Sequence, residues 1–341
     1  MLVIVIYRIM RLICYFEGEA DGWASGESRY TFYTIETTKN ISDKHHIYVA
    51  TINGTIKGPA IHVNNGAILW VNVTNGLKDG GLGLSIHWHG LNMKGAQVFD
   101  GVVGLTQCPI ARHKSFLYNW TINEQPGTYW YHTHDRKLFP DHQKDFIKGP
   151  LIVHENNATI PRTMHDSYRW DNEIIIFYVT IDDSISLGFV NGEEHPLIQV
   201  ENGEYKFRII NGGGQHLFFS IGSYRLTVVA TDGYSVEPYE TDGIQIGIAE
   251  RYDLKVNFDI STATEDVCIR AQFAEKMEKG LFATLRIRKD GSVPSNETKP
   301  DINQVCSGVP PITDKKILNC YNDTFECTDV TELTSTLTRN L

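Results

Sequence analysis

A short pattern occurs twice in this sequence, and it restricts the fold more than any other feature. Pro59, Ile61, Val63 and Gly66 recur 137 positions later as Pro196, Ile198, Val200 and Gly203. Leu117, within Phe116–Asn119, is matched at the same separation by Leu254, within Asp253–Val256; Asn53-Gly54 returns as Asn191-Gly192, one residue out. A period of this size is too long for a solenoid repeat and implies two copies of one domain. The text of each copy is strand and turn. Tyr30–Thr38 alternates aromatic and β-branched residues with polar ones, and Ala67–Val73 and Phe116–Ile122 are further strands. Asn53-Gly54, Asn65-Gly66 and Asn75-Gly76 punctuate apolar runs as turns, and no long stretch has helical periodicity. The expected fold is all-β: two tandem Greek-key β-sandwich or barrel domains.

The first copy carries something that the second lacks. Ser85–Gly90 reads Ser-Ile-His-Trp-His-Gly, and Trp130–His134 reads Trp-Tyr-His-Thr-His. Side chains alternate faces along a strand, so His87 and His89 point one way, as do His132 and His134. Two such pairs facing each other gather four imidazoles, a donor set that suits copper or tetrahedral zinc. Adding 137 to the four positions gives Tyr224, Leu226, Ile269 and Ala271. The repeat thus keeps its strands without the histidines, which argues that they serve function and not folding. The other nine histidines are expected to be surface or capping residues. Trp88 and Trp130, beside the ligands, are expected to pack in the core or at the rim of the site.

Composition excludes several classes. The formal charge of −10, with no basic block, argues against a nucleic-acid partner. No Cys-x-x-Cys occurs, so a zinc ribbon or thioredoxin-like site is ruled out. Six cysteines allow fifteen full pairings; Cys108 is expected to pair, with no partner deducible, and Cys268, inside a strand, to be a buried free thiol. Gly212-Gly213-Gly214 lacks nucleotide-loop spacing and reads as a plain loop. Asn-x-Ser/Thr sequons at Asn40, Asn53, Asn72, Asn119, Asn157, Asn296 and Asn322 point to a secreted, extracellular glycoprotein. The apolar start, Met1 to Tyr7, is interrupted by Arg8 and Arg11 and is too short to span a bilayer. It reads as a poor signal peptide or as a misjoined leader.

Ile86–Gly90, Asp100-Gly101, Thr106–Ile110, Gly127–His134 and Gly149–Val153 resemble the first cupredoxin domain of multicopper oxidases, the laccase and ascorbate oxidase family. Phe207–Asn211, Asp232-Gly233 and Glu250–Asp253 resemble that family's second cupredoxin domain. The resemblance implies copper. His87 would ligate a type 2 ion, and His89, His132 and His134 a type 3 pair. Asp100 would assist proton delivery, although as an Asp-Gly it is equally readable as a turn residue. Dioxygen and a small reductant (a phenol, aromatic amine, ascorbate or metal ion) would be the substrates.

The resemblance also implies a third domain that holds a type 1 copper and the other four cluster histidines. The sequence has no further His-x-His and no His-Cys-His. It therefore reads as a fragment, a truncated product or an incomplete gene model, inactive alone unless a missing domain or a partner chain completes the cluster. Asp135–Lys148, which contains His142, departs from the family's compact turn. The expected organisation is an N-terminal segment over 1–28, a ligand-bearing cupredoxin domain over 29–158, a ligand-free one over 159–289, and a linker with a truncated tail over 290–341. The alternatives are a secreted two-domain copper or zinc binder without oxidase turnover, and a degenerate interaction module that binds no metal.

Overall fold

The computed structural model describes residues 27–42, 45–77, 83–134, 143–156, 158, 168–180, 188–262, 264–289, 298–307, 316–319, 326–328 and 333. The leader, Asp135–His142, and the sequons Asn157, Asn296 and Asn322 lie outside these residues. The first unit contains β1 (Glu27–Ser42), β2 (His45–Ile52), β3 (Ile61–Asn64), β4 (Ile68–Gly76), β5 (His87–His89), β6 (Ser115–Thr121), β7 (Gly127–His132), β8 (Gln143–Asp145) and β9 (Lys148–His154). The second contains β10 (Arg169–Trp170), β11 (Glu173–Thr180), β12 (Gly188–Val190), β13 (Leu197–Glu201), β14 (Gly203–Asn211), β15 (Leu217–Ile221), β16 (Leu226–Thr231), β17 (Tyr234–Thr241), β18 (Gly243–Ile246), β19 (Arg251–Phe258), β20 (Thr264–Phe273) and β21 (Lys276–Arg288). A short helix, Ile302–Ser307, and strands β22 (Lys316–Leu318) and β23 (Glu326–Thr328) follow.

In the first unit a sheet of order β6-β4-β1-β2-β8 packs on one of order β3-β9-β7-β5. Along β4 burial alternates, with Leu69, Val71 and Val73 turned inward against Ile61, Leu151, Tyr131 and Trp88 of the other sheet. Burying each aliphatic side chain of this kind stabilises by about 1.5–3 kcal/mol. The second unit repeats the plan. The parallel pair β1/β4 returns as β11/β14, and β3/β9 as β13/β21. The antiparallel pairs β4/β6, β7/β9 and β5/β7 return as β14/β19, β20/β21 and β15/β20. The pairing also corrects one correspondence. His87 lies opposite His132, and the residue opposite Ile269 is Ile221, so β15 and not Tyr224–Leu226 is the counterpart of β5. A uniform 137-residue shift fails there because the connections before the strand differ in length. The inference survives, since Leu217–Ile221 holds no histidine.

Strands β9 and β11 are buried on both faces, as continuous apolar runs tend to be. Leu151 and Val153 enter the first core and Ile174, Ile176 and Tyr178 the second. Between them Trp130, Ile152, Ile175, Phe177, Phe189 and Ile210 form a third core that joins the units. Beyond Arg288 the chain is more than a linker. β22 pairs in parallel with β18, and Ile317 and Leu318 are fully buried against the second unit. Cys306, in the short helix, is bonded to Cys268 of β20, which overturns the expected free thiol. A thiol on an internal strand reads as a small apolar residue; nothing local shows that a helix 38 positions later covers it. Cys108 is disulfide-bonded as well.

Candidate metal centre

The edge strand β5 is only three residues long, and it pairs with β7 so that His87 faces His132 and His89 faces Trp130. The pleat does the rest. Trp88 and Tyr131 point into the first core, both fully buried, while the histidines project from the opposite face. A ring nitrogen from each of His87, His89 and His132 falls within a group whose members lie within 4.8 Å of one another. His134 is exposed and stands outside that group, its ring centroid 5.1 Å from that of His87 and 6.3 Å from that of His132. Three of the four expected ligands are therefore gathered at one point, with the fourth ring beside them.

The ring orientations follow from hydrogen bonds. His87 Nδ1 donates to the Asp100 carbonyl oxygen at 2.7 Å, and His132 Nδ1 donates to the Thr133 carbonyl oxygen at 2.7 Å. Both bonds place the proton on Nδ1 and leave the Nε2 lone pair free, the usual way in which protein groups orient a ligating imidazole. With His132 Nε2 unprotonated, His89 Nδ1 is the donor in their 3.3 Å contact. Asp100 is held beside His87 by a tight approach of backbones. Gly101 has φ +83°, and a Cβ there would collide with the Ile86 carbonyl oxygen. Ser85 Oγ donates to the Gly101 carbonyl oxygen. The Asp100 carboxylate also approaches His87 Nδ1, Oδ1 lying 3.3 Å away. The turn role and the role beside the ligand are thus one arrangement.

Trp130 forms the wall of the site. Its ring stacks on His89 at 4.9 Å and on His132 at 4.3 Å, and its other side belongs to the core between the units. Trp88 is plain core, as expected. Burial holds His132 well below the usual histidine range, and burial, reinforced by Arg251 and neighbouring histidines, pushes His89 down to about 3. Both imidazoles are consequently neutral near pH 7, as metal ligation requires.

The donor set fits a transition metal. All three converging donors are imidazoles, and once an ion displaced the His89 Nδ1 proton, the 3.3 Å between His89 Nδ1 and His132 Nε2 would suit two ligands about 2.0–2.1 Å from it.

Two buried histidines escape a sequence reading. His62 and His154, expected at the surface, are only 4% and 5% exposed, and His62 Nδ1 lies 2.8 Å from His154 Nε2. Alternation turns both away from the first core, toward a side that a single domain would leave wet. The second unit covers that side, and burial, followed by the nearby His62, Arg208 and Lys206, holds His154 low. Of the remaining polar histidines, His113 is exposed and takes a hydrogen bond from Arg112. Gly212–Gly214 forms the expected loop after β14.

Two like sandwiches with half-buried, pre-oriented imidazoles on one of them define a metalloprotein scaffold for a transition metal. The chain belongs to the multicopper oxidase family: models of multicopper oxidase domains match residues 34–158 and 127–288. It is 33% identical over 276 residues to Laccase-2 of Botryotinia fuckeliana, covering 73% of this chain and 46% of that protein. It is 30% identical over 278 residues to the iron transport multicopper oxidase FET3 of Kluyveromyces lactis, covering 75% and 40%. Among solved structures it resembles Fet3p, a multicopper oxidase that functions in iron import, with a TM-score of 0.64 and 27% identity over 81% of this chain and 55% of that one. The cupredoxin fold of both units follows from these likenesses. The chain spans about half the length of the curated relatives it matches. Among the described residues, no helix is long and apolar enough to cross a membrane.

Proposed function

We propose that the chain supplies one half of the copper cluster of a laccase-like oxidase, which oxidises a small reductant and reduces dioxygen to water. The convergence of His87, His89 and His132, each ring oriented by a hydrogen bond, carries this reading. In it His87 serves a type 2 ion through Nε2, while His89, His132 and the exposed His134 serve a type 3 pair. Copper bound there would supply one-electron redox chemistry that zinc cannot. The protein's part is to hold neutral imidazoles in place against Trp130 and to offer the Asp100 carboxylate, beside His87, as a proton acceptor or donor. The remaining cluster ligands and the type 1 site come from a further domain or a partner chain, because residues 1–341 contain no second pair of such motifs. Phenols and metal ions are both admissible reductants, in keeping with a laccase and an iron-transport oxidase among the relatives.

Residues 29–158 are the copper-bearing domain and 159–289 the supporting one. The protein is a secreted glycoprotein. Asn53 is exposed in a turn, and Asn72 and Asn119 face outward from β4 and β6, which supports glycan attachment. Oxygen uptake by the copper-loaded chain, with a phenol or ferrous iron as reductant, tests the division of labour. Residues 1–341 alone are expected to consume no oxygen above a free-copper control. Robust turnover would overturn the proposal that half the cluster lies elsewhere. A chain that binds copper or zinc and never turns over, even with the full-length gene product, would favour a storage role.

A further inference from the structure

The second unit has no ligand, yet it reaches into both strands that carry them. Arg251, at the start of β19, is 4% exposed. Its Nε donates to the Thr128 carbonyl oxygen of β7 at 3.2 Å, and its guanidinium lies over the Tyr129 ring, 5.9 Å from the centroid. It also packs on the residue that follows His89: a Cβ at Gly90 would collide with Arg251 Nη2. Asp232 Oδ1 aims the group from 2.8 Å, and Nη1 donates to the Ala249 carbonyl oxygen at 3.2 Å. Thr128 is gripped a second time, its Oγ1 taking a bond from Arg208 Nη1 at 3.0 Å and donating to Asp253 Oδ1.

This matters because β5 is a three-residue edge strand with β7 as its only sheet neighbour among the described residues. Nothing in the ladder fixes where the chain goes after His89. Two side chains do. Arg251 sits against Gly90, and Glu124 accepts from the Asn92 amide and side chain, both at 2.8 Å, and from the Met93 amide at 3.3 Å. Of these two, Arg251 reaches from the second unit to both ligand strands, at Thr128 of β7 and at Gly90 next to His89. We infer that Arg251 is a positioning residue for the metal centre, a fork from the second unit that sets His89 of β5 against His132 of β7. A lysine could supply the charge but not the planar fork that reaches Thr128, Asp232 and Gly90 together. The inference rests on the copper reading for its purpose, but not for its geometry.

The test compares the wild-type chain with R251M, R251K and D232N in two measurements. One is copper(II) affinity by competition titration, with the electron paramagnetic resonance spectrum of the bound ion. The other, made without metal, is the set of imidazole nitrogen resonances of His87, His89 and His132, with His62 and His154 as internal controls. R251M is expected to lose about 10- to 100-fold in copper affinity, as removal of a group supporting a ligand does. It should also move the His89 resonances while the controls stay in place. R251K should recover only part of the loss; full recovery would show that charge suffices and would overturn the positioning role. D232N leaves the arginine in place but unaimed, and gives a smaller change of the same kind even where R251M fails to fold. Wild-type affinity and unmoved His89 resonances in the folded variants would sink the inference. If the wild type takes up no copper, the copper reading fails by itself, and the metal-free resonances still decide the role of Arg251.

Discussion

At the scale of single residues, the site is held by backbone as much as by side chains. His87 and His132 both hand their Nδ1 protons to carbonyl oxygens, of Asp100 and Thr133. Removing the Asp100 carboxylate therefore leaves the stronger of its two contacts intact. D100N is expected to bind copper within about threefold of wild type, since second contacts on ligands matter only when they are lost; a loss beyond tenfold in a copper titration would show that Oδ1 is the orienting group. Gly101 is less replaceable. Its φ of +83° and the Ile86 carbonyl oxygen against it leave no room for a methyl group. G101A should cost at least about 1–3 kcal/mol in urea unfolding, from left-handed strain and a backbone clash together. The histidine pairs were legible because alternation alone fixes their common face. The stacking of Trp130 on two of them was not, because it depends on the register of β5 against β7, which no local pattern reveals.

At the scale of elements, the two-copy plan was readable and its junction was not. Leu69, Val71 and Val73 alternate as a half-buried strand should, so β4 was clear in the sequence. His62 and His154 sit at polar positions of β3 and β9, and there alternation points the wrong way, because a second domain and not water lies beyond. Their burial has a measurable consequence. His154 is pushed down to about 3, mainly by desolvation, and in the unfolded chain it titrates near 6.5. Between these values the unfolded state binds a proton that the folded state does not, so stability falls as pH falls from 6.5 toward 3, by up to about 1.4 kcal/mol per unit from this group. Urea unfolding at pH 7, 5.5 and 4.5 should show that slope added to those of His89 and His132, and H154Q should lower the total by up to about 1.4 kcal/mol per unit. An identical slope in the variant would place the acid sensitivity elsewhere. The Cys268–Cys306 bond is a second element-scale device. It closes a separation of 38 residues, and by chain entropy its loss should cost about 4 kcal/mol. Replacing both cysteines by serine should lower the unfolding midpoint accordingly, and release the short helix from β20.

At the scale of the whole molecule, the second cupredoxin unit is a support for the first. It contributes half of the core between the units and two arginines that converge on Thr128, while the imidazoles remain with the first. This division explains why a repeat can lose its ligands and keep its fold: what the second copy retains is packing surface and charge aimed at its sister. Truncating the junction core should therefore be felt at the metal. I152A, in β9, is expected to cost about 2–5 kcal/mol of stability, as a fully buried aliphatic residue does. The central claim is that the face formed by β5 and β7 is a copper site built from His87, His89 and His132. Its most direct test is X-ray absorption and electron paramagnetic resonance of the copper-loaded chain, beside a variant with all three histidines replaced by alanine. The account predicts a bound ion with imidazole nitrogens in its coordination shell, lost in the variant. A chain that retains no copper, or a variant that retains it with an unchanged spectrum, would contradict it.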